Sequence, residues 1–149
     1  MGFLDSMGTS VSGMTAQRHR VQTISENIAN SETTRTAEGG PYRRRDVVLA
    51  AVGNDTNFEE MLRAQDRTPT TATEVKVVGV VQDTRPNILK FDPSHPDANA
   101  EGYVEMPNIN MMEEVANLMM AQRSYEANTA AFNATKSMAM AALEISRNA

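Results

Sequence analysis

Few residues in this 149-residue chain have the type and spacing to do chemistry. The densest cluster is Asp92-Pro93-Ser94-His95-Pro96-Asp97, one imidazole between two carboxylates. Those donors suit a divalent metal, but no second His and no Cys stands near to complete a site. Pro, Asp and Ser are all turn formers, so the segment is expected to be a tight turn fixed by two prolines. His19, between Arg18 and Arg20, is expected to be a solvated histidine on the polar side of a helix. Glu113-Glu114 is a carboxylate pair suited to acid–base work, yet both fit the first turn of a helix, where the dipole favours negative charge. Arg43-Arg44-Arg45 is the only basic run. Beside Tyr42 it is able to hold a phosphate or an acidic partner. In a lone module it is a solvated turn leading into a strand; in an assembly, Tyr42, Arg43, Arg44 and Arg45 are candidates for lateral contacts.

Other chemistries are excluded by residues that are missing. Gly39-Gly40 lacks the following Lys-Ser/Thr of a phosphate loop, and there is no dinucleotide fingerprint or nucleophile elbow. The absence of Cys removes disulfides, thiolate metal sites and cysteine nucleophiles together. The expectation is a non-enzyme with no catalytic residue, no metal and no cofactor. A formal charge of −5 gives no overall basic field, so nucleic acid is not an expected partner. No run approaches the roughly 18 apolar residues of a membrane span. The first 20 residues lack a charged segment followed by an apolar one, so no cleaved secretory signal is expected.

The elements that must position these residues follow from proline and methionine placement. All six prolines lie between residues 41 and 107, and nine of the 11 Met lie in 1–30 and 108–149. Proline breaks helix interiors, so two proline-free ends flank a turn-rich middle. The expected organisation is an N-terminal helical segment, 1–30, a loop- and strand-rich middle, 31–107, and a C-terminal helical segment, 108–149. The middle carries most of the net charge, with nine basic and thirteen acidic groups.

The first segment has a seven-residue repeat. One column is Met7, Met14, Val21 and Ile28; the other, Leu4, Val11, Arg18 and Ser25, is broken by polar residues. Alternating spacings of three and four make this a coiled-coil seam. Gly8 and Gly13 each weaken the helix by about 1 kcal/mol relative to Ala. In the last segment Asn110 is a plausible N-cap after Pro107. One column there is Met111, Leu118, Tyr125, Phe132 and Ala139; its partner is Val115, Gln122, Thr129, Lys136 and Leu143. At about 1.5 Å per residue the two helices, 3–29 and 110–147, span roughly 40 and 55 Å, more than the ~30 Å of a small domain. Their apolar columns must face each other or other subunits. The fold class is therefore mainly α with a small β-containing insert, its long terminal helices pairing as a coiled coil. In the middle, 46–49, 75–81, 88–91 and 103–106 are strand candidates, 57–64 one or two helical turns, and 67–73 a loop.

Specific strings then carry a resemblance. The first helix contains Ser12-Gly13-Met14 and ends Ser25-Glu26-Asn27-Ile28-Ala29-Asn30-Ser31-Glu32-Thr33, similar to the ANxANxxT-type motif of bacterial flagellar rod and hook proteins. Gly39-Gly40-Pro41-Tyr42-Arg43-Arg44, the stretch from Phe91 through His95-Pro96-Asp97-Ala98 to Asn110, and Arg123-Ser124-Tyr125-Glu126-Ala127-Asn128 extend it over nearly the whole chain. The chain thus resembles the flagellar axial-protein family, and within it the short proximal rod members. Ser31 and Met14 depart from the residues common there, Ala and Leu, and 53–73 matches no motif.

The resemblance implies a structural rod subunit with terminal helices paired around an export channel. It implies as partners further copies and other rod subunits, the membrane ring and distal rod neighbours, and the flagellar type III export apparatus. It places the chain in the basal body, in the rod that spans the periplasm. Met7, Met14, Val21, Ile28, Met111, Leu118, Tyr125, Phe132 and Leu143, with Asn27 and Asn30 of the motif, are the expected assembly residues. Two other classes remain to be set against it. An enzyme using the 92–97 loop would bind metal, and a soluble adaptor or export chaperone would form a discrete dimer rather than an open-ended polymer.

Overall fold

A computed structural model describes residues 3–53 and 73–148. The elements are α1 (Phe3–Ala29), β1 (Arg45–Gly53), β2 (Thr73–Gln82), β3 (Ile88–Phe91), β4 (Tyr103–Met106) and α2 (Met111–Asn148). Among the described residues the protein is mainly helical with two small two-stranded sheets, β1 with β2 and β3 with β4. The helical turns expected at 57–64, and all of the 67–73 loop except Thr73, lie outside the described residues. None of the described helices is long and apolar enough to cross a membrane.

Helix α1 is rich in hydroxyls, which normally compete with helical backbone bonds. Here they turn back onto their own helix: Thr9, Ser10, Thr15 and Ser25 donate to the carbonyls of Asp5, Ser6, Val11 and Val21 at 2.9–3.0 Å. Helix α2 starts at the expected cap, where Asn110 Oδ1 accepts from the Met112 N–H at 3.1 Å.

The chain divides into two compact units, each taking residues from both helices. Of the described residues, the first holds 3–18, 49–53, 73–78 and 123–148. In it α1 packs on α2: a Cβ on Gly13 would come within 2.9 Å of Asn128 Nδ2, so only glycine fits without displacing that amide. Thr129 Oγ1 donates to Met14 Sδ at 3.3 Å, and Ala16 is buried. The Ser12 hydroxyl accepts the Val75 N–H of β2 at 3.1 Å.

The second unit consists of 19–48 and 79–122. Its interior holds Thr23, Ile24 and Asn27 from α1, Tyr42, Val104, and Glu114 and Ala121 from α2. Strands β3 and β4 form an antiparallel hairpin with Ile88 opposite Met106 and Phe91 opposite Tyr103. The Phe91 and Tyr103 rings meet edge to face, centroids 5.2 Å apart. Gly102 closes the hairpin end at φ 82°, where an L side chain is strained. A Cβ there would also press on the Phe91 ring at 3.0 Å.

The buried stripe does not follow the expected columns. On α1 the buried positions are Ala16, Thr23, Ile24 and Asn27, while Met7, Met14, Val21 and Ile28 are half-buried beside them. On α2 the buried positions are Glu114 and Ala121, while in the expected column Leu118, Phe132 and Ala139 are half-buried and Met111 and Tyr125 exposed. The column on the other side exposes Gln122, Lys136 and Leu143. Small and polar residues line the inner stripe because backbones approach closely where side chains are short. A pattern search weighted to large apolar side chains passes over them.

Candidate functional site

The chemistry-bearing residues converge in the second unit on one side chain, Asn27, which has no exposed surface. Its amide mimics a neighbouring strand. Nδ2 donates to the Arg45 carbonyl at 2.8 Å, and Oδ1 accepts the Arg45 N–H at 2.9 Å. The remaining valences are used as well: Nδ2 donates to Glu114 Oε2 at 3.1 Å, and Oδ1 accepts from the Tyr42 hydroxyl at 3.2 Å. Glu114 is 1% exposed, and its second oxygen, Oε1, accepts from Arg44 Nε at 2.8 Å. One amide therefore ties the end of α1 to the start of β1 and to the first turn of α2, with both carboxylate oxygens bonded.

The electrostatics fit this arrangement. Burial alone would lower the Arg44 pKa, but the hydrogen bond and charge of Glu114, with Asp46 at 3.5 Å, raise it above the usual guanidinium value. Burial raises the Tyr42 hydroxyl, and the Arg45 charge partly opposes the rise. The Arg45 guanidinium lies 5.6 Å from the Tyr42 ring centroid, within cation–π range.

The other motif residues build the turn that delivers the chain to this point. Asn30 Nδ2 donates to the Glu26 carbonyl at 2.9 Å, Thr33 Oγ1 donates to Asn30 Oδ1 at 3.2 Å, and the Tyr42 N–H donates to the Thr33 carbonyl at 3.0 Å. In this fold Asn27, Asn30 and Tyr42 thus bond within their own chain. The basic run splits by alternation: Arg44 turns inward, Arg43 is exposed, and Arg45 lies half-buried along Tyr42. Sequence reasoning saw Glu114 only as a dipole partner and missed its pairing with Arg44. The available signal was a buried-phase column, 114, 121 and 128, built of Glu, Ala and Asn.

The Asp92–Asp97 segment is a hydrogen-bonded turn. Asp92 Oδ1 accepts from the Ser94 hydroxyl at 2.7 Å and from its N–H at 3.2 Å, which holds the Asp92 pKa below the usual carboxylate value. His95 Nδ1 accepts the Asp97 N–H at 3.1 Å, and Asp97 Oδ2 accepts from the Thr34 hydroxyl at 2.8 Å. Among the described residues no three acidic or His side chains are placed to hold a metal.

The helices keep much apolar surface in water. Leu4, Met112, Met119, Met138, Leu143 and Ile145 are all more than half exposed, with Leu4 at 79% and Met112 at 78%. Met111 and Tyr125 are exposed to 42% and 41%, while Leu118 and Phe132 are half-buried. Large apolar side chains left this exposed along both helices are available for contact with other subunits.

Two family models match the ends of the chain: the flagella basal body rod protein model over residues 7–35, and the flagellar basal body rod FlgEFG protein C-terminal model over residues 100–145. The chain is 40% identical over 149 residues to the flagellar basal-body rod protein FlgC of Borreliella burgdorferi, covering 97% of this chain and 98% of that one. It is 43% identical over 147 residues to FlgC of Bacillus subtilis, covering 95% and 97%. It is 34% identical over 146 residues to FlgC of Escherichia coli O6:H1, covering 97% and 98%.

Proposed function

We propose a mechanism that proceeds from one premise: the chain belongs to the FlgC family of flagellar basal-body rod proteins and is a structural subunit of the bacterial basal-body rod. It works through interfaces, without catalysis or a cofactor. The carrying observation is the apolar surface that α1 and α2 leave uncovered, from Leu4 to Ile145.

In the assembled rod the terminal segments, 1–30 and 108–149, form coiled-coil seams with neighbouring subunits and together enclose the export channel. The columns Met7, Met14, Val21, Ile28 and Met111, Leu118, Tyr125, Phe132, with Leu143, flank each chain's own buried stripe and supply the surface for those seams. Asn27 and Asn30 act indirectly, by fixing the helix end and the strand that presents Arg43 and Arg45. The middle segment, 31–107, makes the lateral contacts that let the shaft transmit torque. The partners are further copies, other rod subunits, the membrane ring and distal rod neighbours; nucleic acid is not among them. The subunit reaches the basal body through the flagellar type III apparatus without cleavage of a signal.

Open-ended polymers arise when a contact joins two different patches without closing. Burying one Leu or Met side chain contributes about 1.5–3 kcal/mol, and every subunit in a filament repeats it. Met119→Asp and Leu143→Asp alter side chains exposed in the single chain, so they test assembly without disturbing the fold. In a flagellated cell carrying only the variant, each is expected to be made and exported, to leave rods incomplete and to abolish swimming. His95→Ala should leave motility nearly intact. Normal swimming of both Asp variants, with loss of motility in His95→Ala, would overturn this reading.

A further inference from the structure

We propose that copies of this chain join head to tail through a salt-bridged contact, in which the cleft beside Arg43 and Arg45 of one copy receives the acidic β3–β4 hairpin, carrying Glu101 and Glu105, of the next. The inference rests on the rod-subunit reading and names a partner for one of its lateral surfaces.

The cleft is an open hollow of about 370 Å³ in the second unit, lined by Thr36, Gly39, Pro41, Tyr42, Arg43 and Arg45, with Glu38 at its wall. Its shape comes from the 36–40 turn, where the Thr36 N–H donates to the Gly40 carbonyl at 2.9 Å and Gly39 and Gly40 take φ of 88° and 75°. Inward rotation of Arg44 onto Glu114 leaves its neighbours facing out. Among the described residues neither Arg43 nor Arg45 forms an ion pair. The Tyr42 ring holds Arg45 in place, so little side-chain freedom is lost when a carboxylate docks.

The complementary surface is on the same unit. A second hollow is bordered by Gly40 and Pro41 on one side and by Asp97, Asn99 and Glu105 on the other. The hairpin end is rigid: Asn99 Oδ1 accepts the N–H groups of Glu101 and Tyr103 at 3.0 and 2.9 Å. Asp97 is partly neutralised at home by Arg35, 3.9 Å away. Glu101 and Glu105 form no ion pair among the described residues. Each copy of the chain therefore carries, on its second unit, a basic cleft and an acidic hairpin that both border Pro41 and the turn before it without pairing with each other. Opposite charges on different patches of one molecule favour a heterologous contact between copies, the kind that propagates rather than closes.

The chain contains no cysteine, so each variant carries a single thiol and a link between two copies can join only the introduced positions. Ala37, at the cleft, and Ala100, at the hairpin end, are both exposed. Ala37→Cys and Ala100→Cys chains are co-expressed in a flagellated cell lacking the native chain, and purified basal bodies are mildly oxidised. The expected result is a 37–100 linked dimer in excess of 37–37 and 100–100 dimers. Adding Arg43→Glu to the Ala37→Cys chain should reduce it roughly tenfold, because like charges then meet. Adding Glu101→Arg to the Ala100→Cys chain should restore it. Basal bodies that contain the chain but give no 37–100 link, or a link indifferent to Arg43→Glu, would overturn this contact and leave the rod-subunit reading intact. Absence of the unsubstituted chain from basal bodies would overturn both.

Discussion

Replacing Asn27 by Asp changes one NH₂ group to an oxygen and should unfold the second unit far more readily than its size suggests. Asn27 Nδ2 donates two bonds, to Glu114 Oε2 and to the Arg45 carbonyl. In Asn27→Asp both become contacts between acceptors, and a second carboxylate faces that of Glu114 with no exposed surface through which water could screen it. Each lost bond removes about 1 kcal/mol. An uncompensated charge in a buried ion-pair network costs about 3–5 kcal/mol. The expected loss is therefore about 5–7 kcal/mol, against a total stability on the order of 5–15 kcal/mol for a domain. With a urea slope of about 2 kcal/mol per M, the midpoint should fall by about 2.5–3.5 M, or the unit should be unfolded without urea. Asn30→Asp is the control: the Asn30 amide donates to the Glu26 carbonyl and is part-exposed, so it should lose about 1 kcal/mol. Urea unfolding followed by far-UV circular dichroism on the full chain measures both. If Asn27→Asp unfolds within about 0.5 M of the parent, or no lower than Asn30→Asp, the bidentate amide does not hold the unit together.

Other substitutions probe separate steps of the account. Gly102→Ala should destabilise the hairpin unit by about 1–3 kcal/mol, since it strains a positive φ and presses on Phe91; an unchanged melting temperature would contradict this. Gly8→Ala should stabilise the chain by about 1 kcal/mol, because the site is open and helical, whereas Gly13→Ala should fall short of that gain because its methyl meets Asn128; equal gains would remove the close approach. The Asp83 carboxyl, hydrogen-bonded by Arg85 at 2.8 Å, is held at about 2. Its folded pKa lies below the ordinary 3.8, so the small stability it contributes is present above that value and is lost as pH falls toward 2. NMR titration of the side-chain carbon checks this, and a midpoint near 3.8 would refute it.

Much of the fold is legible in the sequence because its signals are local. Proline-free, Met-rich ends mark α1 and α2 to within a residue, and β-branched runs mark β1 and β2. Asn110 marks its own cap by sitting one residue ahead of Met111. The inner helix stripe is not legible in this way. Gly13, Ala16, Asn27, Glu114 and Ala121 are small or polar, so hydrophobic periodicity points instead to Ile28, Leu118 and Phe132 beside them. The role of Arg44 is hidden for a similar reason: three consecutive arginines look alike until the chain entering β1 turns the middle one toward a carboxylate 70 positions away. Glu114 carries two signals at once, a favourable charge at a helix start and a buried ion pair, and only the first is visible without the fold.

The central claim is that this chain functions by burying helix surface against its neighbours in the rod. A density map of an intact basal body from cells carrying this chain tests it most directly. The account predicts α1 and α2 in the wall around the channel, with Leu4, Met112, Met119 and Leu143 covered by side chains of adjacent subunits. A map in which the chain is part of the rod but those four side chains face open solvent would contradict it.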